Sequence, residues 1–200
     1  MYKVVTKRFL NEAKTICLFE IEAPLIARHA MAGQFVIFRL DELGERVPVS
    51  VAGWDREKGT VTIIVQTVGA TTEKLARKEA GDFLQDFVGP LGVATELDGL
   101  KKVCIVGGGV GCAIALPIAQ ALKNSGAEVT GIIGFRNKDL VILEEEFQAC
   151  CNALTVMTDD GSYGKKGNVT LPLKELLEKG EKFDRIIAIG PLVMMKFTVL

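Results

Sequence analysis

The first half of the chain alternates between apolar and polar positions over short stretches rich in Val, Ile, Thr and Phe. Turn-forming runs such as NEAK, ELGE and DREKG separate these stretches. Short strands with regular turns are typical of an antiparallel barrel or sandwich, and one helical run, TTEKLARKEAGD, interrupts them. The predicted strands lie in YKVVTKRFL, KTICLFEIEA, GQFVIFRL, RVPVSVAGW and GTVTIIVQTV.

The second half changes period, because buried strands there alternate with helical runs. This order indicates βαβ units and a parallel sheet. The Gly- and Pro-rich residues 89–102 predict a boundary, which gives domains of residues 1–97 and 98–200. The predicted fold is thus an antiparallel β-barrel domain followed by an α/β parallel-sheet domain. The predicted strands are KKVCIVGG, AEVTGIIGF, ALTVMTDD and FDRIIAIG, and the helices are VGCAIALPIAQALKNSG, DLVILEEEFQACC and VTLPLKELLEKG.

One run of the second half, from Val103 to Leu122, contains no charged residue. Its length would suit a membrane-spanning helix. Four of its residues between 107 and 111 are glycine, however, and each glycine inside a helix costs roughly 1 kcal/mol relative to alanine. We therefore expect a strand, a loop and a helix of a sheet domain, and no membrane partner.

Composition and charge narrow the possible functions. Acids and bases nearly cancel, at a formal net charge of −1 over 200 residues, and no long basic run occurs. Nucleic acid is therefore not an expected partner. The N-terminal MYKVVTKRFL has no apolar signal core and no transit pattern, so we expect a cytoplasmic protein. There is one histidine and no C-x-x-C pair, so no metal site is expected; the cysteines are Cys17, Cys104, Cys112, Cys150 and Cys151.

The glycine run GGGVG stands between a predicted strand and a predicted helix, as in loops that bind phosphate. Glycines let the backbone approach an anion, and the helix start offers unpaired N–H groups. No Gly-Lys-Ser/Thr follows, so this is not a P-loop. Cys112 replaces the third glycine of a dinucleotide fingerprint, and Arg136 stands where an acid usually holds an NAD ribose. A glycine turn needed only for packing remains the alternative.

Two further segments follow predicted parallel strands, TDDGSYG and IGPLVMM. Ligands of open α/β sheets bind outside the carboxyl ends of the strands, so both segments are expected near the glycine loop. Asp159 and Asp160 are candidates for holding ribose hydroxyls or a nicotinamide amide. The alternative is an Asx-type turn, which Asp-Gly forms readily.

The β half contains RVPVS and GATT as candidate cofactor segments. In a strand, Arg46, Pro48 and Ser50 point to the same face. An arginine there could bind a pyrophosphate bidentately, and a serine could donate to a heterocycle nitrogen. GATT at a helix start is a second candidate anion site. A solvated strand residue is the alternative for Arg46.

These motifs in this order resemble the ferredoxin–NADP reductase superfamily. Within it the chain looks like the small subunits of NADH-dependent reduced ferredoxin:NADP oxidoreductases, which are electron-bifurcating transhydrogenases. Electron-transfer subunits of dihydroorotate dehydrogenases are the nearest relatives of that group. The resemblance covers essentially all 200 residues, and it rests on RVPVSVAGWDREKGTVTIIVQTVGATTEKL, DFVGPLG, GGGVG, TDDGSYGKKG and IGPLVMMK.

The resemblance implies an FAD-binding barrel domain and an NAD(P)-binding α/β domain. Arg46 would bind the FAD pyrophosphate, and Ser50, near the flavin N5, would be the catalytic residue that stabilises reduced flavin. Pro48 stands where wider superfamily members often have an aromatic residue, so stacking from that position is lost. The implied flavin-lining residues are Val47, Pro48, Val49, Ser50, Ile64, Val65 and Gln66; Gly69, Thr71 and Thr72 would cradle phosphate; and the nucleotide would contact Gly108, Gly109, Val110, Gly111, Asp159, Asp160, Gly161, Gly190 and Pro191.

The activity implied is that of an FAD-dependent NAD(P)H oxidoreductase subunit, which exchanges a hydride between NAD(H) and FAD. Electrons would pass to or from a larger flavin and iron–sulfur subunit, and only indirectly to ferredoxin. The family's cysteine-rich tail, which ligates a [2Fe–2S] cluster, is not among these 200 residues. Two alternatives stay open: electron transfer in a dihydroorotate dehydrogenase complex, and a non-catalytic nucleotide-sensing subunit. NAD(H) is the expected nucleotide, although Arg136 and Lys138 could attract the 2′-phosphate of NADP(H).

Overall fold

A computed structural model describes residues 1–199 of the chain, with side chains for residues 1–198. The chain forms two compact units, Met1–Thr95 and Glu96–Leu200. The division therefore falls after Thr95, slightly before the expected boundary after residue 97. The two units are described one by one below.

The first unit is a seven-stranded antiparallel sheet in the order β6-β1-β2-β5-β4-β3-β7. Its two edge strands follow each other in the chain with only Gln85 between them, so the sheet nearly closes into a barrel. The Gln85 N–H donates to the carbonyl of Arg39 at 2.9 Å. The antiparallel barrel is thus confirmed. Its elements are β1 (Tyr2–Phe9), β2 (Ile16–Glu22), α1 (Pro24–His29), β3 (Phe35–Arg39), β4 (Val47–Asp55), β5 (Thr60–Gln66), α2 (Ala70–Ala76), β6 (Phe83–Leu84) and β7 (Asp86–Leu91).

Three elements of this unit were not predicted. Helix α1 begins at Pro24, whose fixed φ suits the first helical position. Strand β6 lies just after the predicted helical run, and β7 extends into the first residues of the predicted linker. The Gly89-Pro90 pair of β7 looks like a linker, but proline is tolerated in an edge strand, where a backbone donor is not needed on both sides.

The second unit is a five-stranded parallel sheet in the order β11-β10-β9-β8-β12. The chain moves from β8 to β9 and β10 on one side, then crosses to β12 on the other side of β8. The carboxyl end of β8 is therefore a topological switch point, where open α/β sheets bind ligands. The elements are β8 (Lys102–Gly108), α3 (Cys112–Asn124), β9 (Glu128–Phe135), α4 (Glu144–Cys150), β10 (Ala153–Thr158), β11 (Lys165–Lys166), α5 (Thr170–Glu178), β12 (Arg185–Ile189) and α6 (Leu192–Val199).

The uncharged run of residues 103–122 spans β8, a 3₁₀ turn and α3. Strand β8 is buried from Val103 to Gly108. Helix α3 has only 13 residues, and none of the helices in residues 1–199 has the length and apolarity that a membrane crossing requires. The predicted division into strand, loop and helix is confirmed. Part of IGPLVMM, expected to be a loop, instead begins helix α6 at Leu192.

Candidate cofactor sites

The start of strand β4 presents two different faces. Val47 and Val49 pack against the barrel core, and Val51 is fully buried within it. Because side chains alternate along a strand, Pro48 and Ser50 share one face, as predicted, and that face points away from the core. Any contact of Val47 or Val49 with a cofactor would therefore come from backbone atoms. Pro48 is exposed and Ser50 half-buried, and the Ser50 hydroxyl has no polar partner among the described residues.

Arg46 stands just before β4 with 65% of its side chain exposed. Its Nη2 lies 3.8 Å from Oδ2 of Asp86, the first residue of β7. The same oxygen accepts a 2.6 Å hydrogen bond from Nε of Arg39, which also donates through Nη1 to the carbonyl of Glu42 at 3.0 Å. One carboxylate therefore lies between two guanidinium groups, and most of Arg46 stays free to bind an anion.

The GATT segment forms the first turn of α2. The Thr72 Oγ1 accepts from the N–H of Val68 at 3.0 Å and of Gly69 at 3.1 Å, and the Thr72 hydroxyl donates to the Gly69 carbonyl at 2.9 Å. These bonds fix the turn. A Cβ on Gly69 would meet nothing within 4 Å, so the space beside this turn is open. The Thr71 hydroxyl donates to the carboxylate of Glu45.

Sheet register brings the RVPVS and GATT segments to the same end of the barrel. Strands β4 and β5 are antiparallel, with Val51 opposite Ile63, so the start of β4 lies beside the end of β5. Strand β5 then leads into α2. Three residues of β5 are candidates for lining the flavin. Of these, Ile64 and Val65 are buried and Gln66 is exposed. The hydrogen bond from Thr71 to Glu45 joins GATT to the residue directly before RVPVS.

The glycines at the end of β8 have two different roles. A Cβ on Gly108 would lie 2.3 Å from Met194 Sδ, and one on Gly111 only 2.6 Å from the Ile189 carbonyl oxygen. These two glycines therefore permit close packing against the segment after β12. Gly109 differs, because it has φ +54° and a Cβ there would meet nothing within 4 Å. Packing thus explains part of the glycine run, and Gly109 leaves open backbone at the switch point.

Cys112 occupies the third position of the glycine fingerprint without loosening the packing of α3 against β8. Its side chain is fully buried, and a Cβ on Gly107 would lie 2.8 Å from its Sγ. The cysteine therefore fits because Gly107 has no side chain. Burial raises the pKa of the Cys112 thiol, so the thiol stays protonated and serves as a packing group.

Asp159 and Asp160 follow β10 at the carboxyl edge of the parallel sheet. The Asp160 Oδ1 accepts from the Ser162 hydroxyl at 2.6 Å and from its N–H at 2.9 Å, which forms the Asx-type turn given above as the alternative. The hydroxyl donor, followed by the backbone donor, lowers the pKa of Asp160. Gly161, with φ +78°, completes this turn. The Asp159 side chain is exposed and has no polar partner among the described residues, so it is the freer of the two carboxylates.

The loops after β9 and β10 are tied together. The Asp159 N–H donates to the Phe135 carbonyl at 3.0 Å, and the Lys138 N–H donates to Ser162 Oγ at 2.8 Å. Arg136 is exposed directly after β9. The Oδ1 of Asn137 is buried without a hydrogen-bond donor. This corner thus offers basic side chains and an unsatisfied acceptor beside the aspartates.

The segment after β12 contributes a residue that sequence reasoning missed. A Cβ on Gly190 would lie 2.8 Å from Met194 Cε and 3.1 Å from Gly108 Cα. Met194, in the first turn of α6, therefore packs over both glycines at the switch point. The two methionines of IGPLVMMK were visible in the sequence, but only the α6 turn shows which of them faces the glycine loop. Pro191 is exposed beside them.

The five cysteine thiols are buried or half-buried. Burial raises the pKa of Cys104 to about 12. Cys17, Cys104, Cys112 and Cys150 are buried, and Cys151 is half-buried. Within residues 1–199, no group of three or more His, Cys, Asp or Glu side chains has a metal-binding arrangement.

Comparison with known proteins gave several close relatives, although no protein-family model matches the chain. A Clostridium beijerinckii protein, described as an uncharacterized protein in the adh 3′ region, is 48% identical over 206 residues, covering 99% of this chain and 69% of that protein. A Thermotoga maritima homolog of the electron transfer subunit of dihydroorotate dehydrogenase B (NAD(+)) is 44% identical, covering 94% and 66%. The Geobacillus thermodenitrificans subunit of that name is 35% identical, covering 96% and 75%.

Comparison with solved structures also found proteins similar to this chain. A structure of NADH-dependent reduced ferredoxin-NADP oxidoreductase, described for its flavin-based electron bifurcation, matches with a TM-score of 0.91 at 41% identity, covering 98% of this chain and 70% of that chain. A ferredoxin reductase in carbazole 1,9a-dioxygenase matches with a TM-score of 0.80 at 21% identity, covering 99% and 63%, which supports the fold alone. The chain thus spans about two thirds of the length of these proteins.

Proposed function

This chain belongs to the ferredoxin–NADP reductase superfamily, in the family of NADH-dependent reduced ferredoxin:NADP oxidoreductase subunits and dihydroorotate dehydrogenase B electron-transfer subunits, and on that premise we propose that it is a flavoprotein electron-transfer subunit. It exchanges a hydride between NAD(H) and FAD and passes electrons to or from a partner subunit. The observation that carries the proposal is that each unit has its own open loop suited to an anion: a Cβ on Gly69 or on Gly109 would meet nothing within 4 Å, and the Arg46 side chain is 65% exposed.

The first unit fits FAD. The exposed Arg46 guanidinium and the Thr71–Thr72 turn would hold the pyrophosphate. Pro48 and Ser50 share the outward face of β4, where they would line the isoalloxazine ring. The Ser50 hydroxyl, which has no polar partner among the described residues, is free to donate to a flavin nitrogen. The remaining flavin-lining candidates, Ile64, Val65 and Gln66, lie at the adjacent end of β5.

The second unit fits a nicotinamide nucleotide. Gly109 leaves backbone free of side chains at the switch point, directly before α3, whose first N–H groups favour a phosphate. Val110 is half-buried beside it. Asp159 would accept hydrogen bonds from ribose hydroxyls, whereas Asp160 and Gly161 mainly shape the turn. Gly190 and Pro191 would approach the nicotinamide end.

The cofactors supply the redox chemistry when bound, namely hydride exchange between nicotinamide and flavin, and the protein supplies position and electrostatics. Arg46 offsets the phosphate charge and fixes one end of FAD. Ser50 donates one hydrogen bond and acts as a stabilising group, not as a strong base. The buried thiols of Cys104 and Cys112 remain protonated and take no part.

We propose NAD(H) as the preferred nucleotide. The names of the relatives mention NAD(+) or NADH, and Asp159 would repel a 2′-phosphate. Arg136 and Lys138 are the features that would favour NADP(H). Equilibrium titration with NADH and NADPH decides between them, and tighter NADPH binding would overturn the preference.

We propose a larger flavin and iron–sulfur protein as the partner, since the named relatives are electron-transfer subunits. A transhydrogenase complex is the first candidate, because the structure with a TM-score of 0.91 is that of an NADH-dependent reduced ferredoxin-NADP oxidoreductase. A dihydroorotate dehydrogenase complex is the second, because the 44% and 35% identical relatives carry that name. The subunit that co-purifies with the native protein separates the two.

The test is reconstitution of the purified chain with FAD. We expect flavin absorbance that NADH bleaches without oxygen, and Arg46→Ala should weaken FAD binding by about tenfold or more, because it removes charge-assisted hydrogen bonds. Arg77→Ala is the matched control, since Arg77 is an exposed arginine of the same unit with no polar side-chain partner among the described residues. A protein that cannot be loaded with FAD would overturn the proposal.

A further inference from the structure

Glu45 lies in the loop that delivers Arg46 to strand β4, and its carboxylate accepts a hydrogen bond from Thr71. Glu45 is exposed, and the hydroxyl of Thr71 is its one polar side-chain partner among the described residues. The contact joins residues 26 positions apart in the chain. An acidic side chain thus engages one of the two threonine hydroxyls assigned above to the FAD phosphates.

No ion pair within the described part of the chain neutralises this carboxylate. The neighbouring Arg46 lies 3.8 Å from Asp86, and Arg39 donates to the same Asp86 oxygen at 2.6 Å. Both arginines of this corner are therefore paired with Asp86. The Glu45 carboxylate therefore lies, without an ion-pair partner among the described residues, beside the proposed pyrophosphate site.

We propose that Glu45 competes with the FAD pyrophosphate for the Thr71 hydroxyl and thereby weakens FAD binding. This inference rests on the proposed function. A threonine hydroxyl has one proton to donate, so it cannot serve the carboxylate and a phosphate oxygen at once. FAD binding therefore requires the Glu45 side chain to turn away into solvent, and its exposed position allows that movement.

Two acidic residues of the same loop make a matched comparison. Glu45→Ala removes the charge and releases Thr71. Glu42→Ala removes the same charge from an exposed side chain that has no polar partner among the described residues, although its backbone carbonyl accepts from Arg39. Thr71→Val removes the hydroxyl at nearly constant shape. Circular dichroism and thermal melting of each variant show that it is folded.

The experiment is titration of the cofactor-free full chain with FAD, in which quenching of flavin fluorescence reports binding. We expect Glu45→Ala to lower the Kd for FAD by about two- to fivefold, the range for an exposed charge interaction, and the gain to shrink at high salt. Glu42→Ala should change the Kd for FAD by less than half of the change that Glu45→Ala produces. The gain from Glu45→Ala should be reduced in the Thr71→Val background, because no hydroxyl is left to release.

Three results would overturn the competition: weaker FAD binding in Glu45→Ala, an equal gain in Glu42→Ala, or an undiminished gain in the Thr71→Val background. Each of them leaves the proposed function standing, provided that the unmodified chain binds FAD and Arg46→Ala weakens that binding. An unmodified chain that does not bind FAD overturns the proposed function, and the role of Glu45 falls with it.

Discussion

At the scale of single residues, the packing at the end of β8 depends on a glycine that has no Cβ atom. Gly107 has no Cβ, and the Sγ of Cys112 takes up that space at 2.8 Å from where the Cβ would be. A cysteine can therefore stand at the third position of the glycine fingerprint without pushing α3 off the strand. Sequence spacing identified the substitution, but its acceptance depends on how α3 returns over β8.

A pair of substitutions tests this packing. Gly107→Ala should destabilise the protein by about 1–3 kcal/mol, the usual cost of an overpacked core. Adding Cys112→Ala removes the sulfur and should recover part of that loss. Urea unfolding of the single and double variants measures both free energies. If Cys112→Ala costs as much stability in the Gly107→Ala background as in the unmodified protein, the thiol does not fill this space.

At the scale of elements, edge strand β12 is tied to β8 through Asp184. Its Oδ2 accepts from the backbone N–H of Lys101 at 2.7 Å and of Lys102 at 2.8 Å. These donors, Lys102 first, lower the pKa of the Asp184 carboxyl. The ionised form therefore supports the start of both strands, directly where their parallel pairing begins.

This contact predicts a pH dependence of stability. Because the folded pKa of Asp184 is lowered, its contribution is present above the ordinary carboxyl pKa of about 3.9 and is lost as pH falls below it. Asp184→Asn should therefore lose less stability than the unmodified protein between pH 7 and pH 3. Thermal melting across this range is the measurement. Asp98→Asn, an exposed acid of the same unit without a polar partner among the described residues, serves as the control.

At the scale of the whole molecule, the chain consists of two units with different sheet types, Met1–Thr95 and Glu96–Leu200. The antiparallel barrel carries the proposed FAD site, and the parallel sheet carries the proposed nucleotide site. Each ligand should stabilise the unit that binds it, by about 2.7 kcal/mol at a free concentration of 100 times its Kd.

Hydrogen exchange can locate these effects. FAD alone should slow amide exchange most around residues 46–50 and 64–72. NAD⁺ alone should slow it most around residues 107–111 and 159–161. Peptide-resolved mass spectrometry of the two complexes distinguishes them. Strongest protection by FAD in the second unit would contradict the assignment of cofactors to units.

The sequence by itself determined the order and type of most elements, because periods of two and 3.6 residues are local properties of the chain. It also placed GGGVG at the end of a strand and put Pro48 and Ser50 on one face. It did not predict β6 and β7, because short edge strands have little periodicity of their own.

Only the tertiary structure decided the contacts between distant residues. Barrel closure across Gln85, the Glu45–Thr71 hydrogen bond and the packing of Met194 over Gly108 join positions whose separation in the chain carries no information about their distance. Register and packing of the complete fold set these contacts, since each depends on neighbours contributed by several elements. The sequence thus showed which residue types could bind phosphate, and the fold decided which of them are exposed.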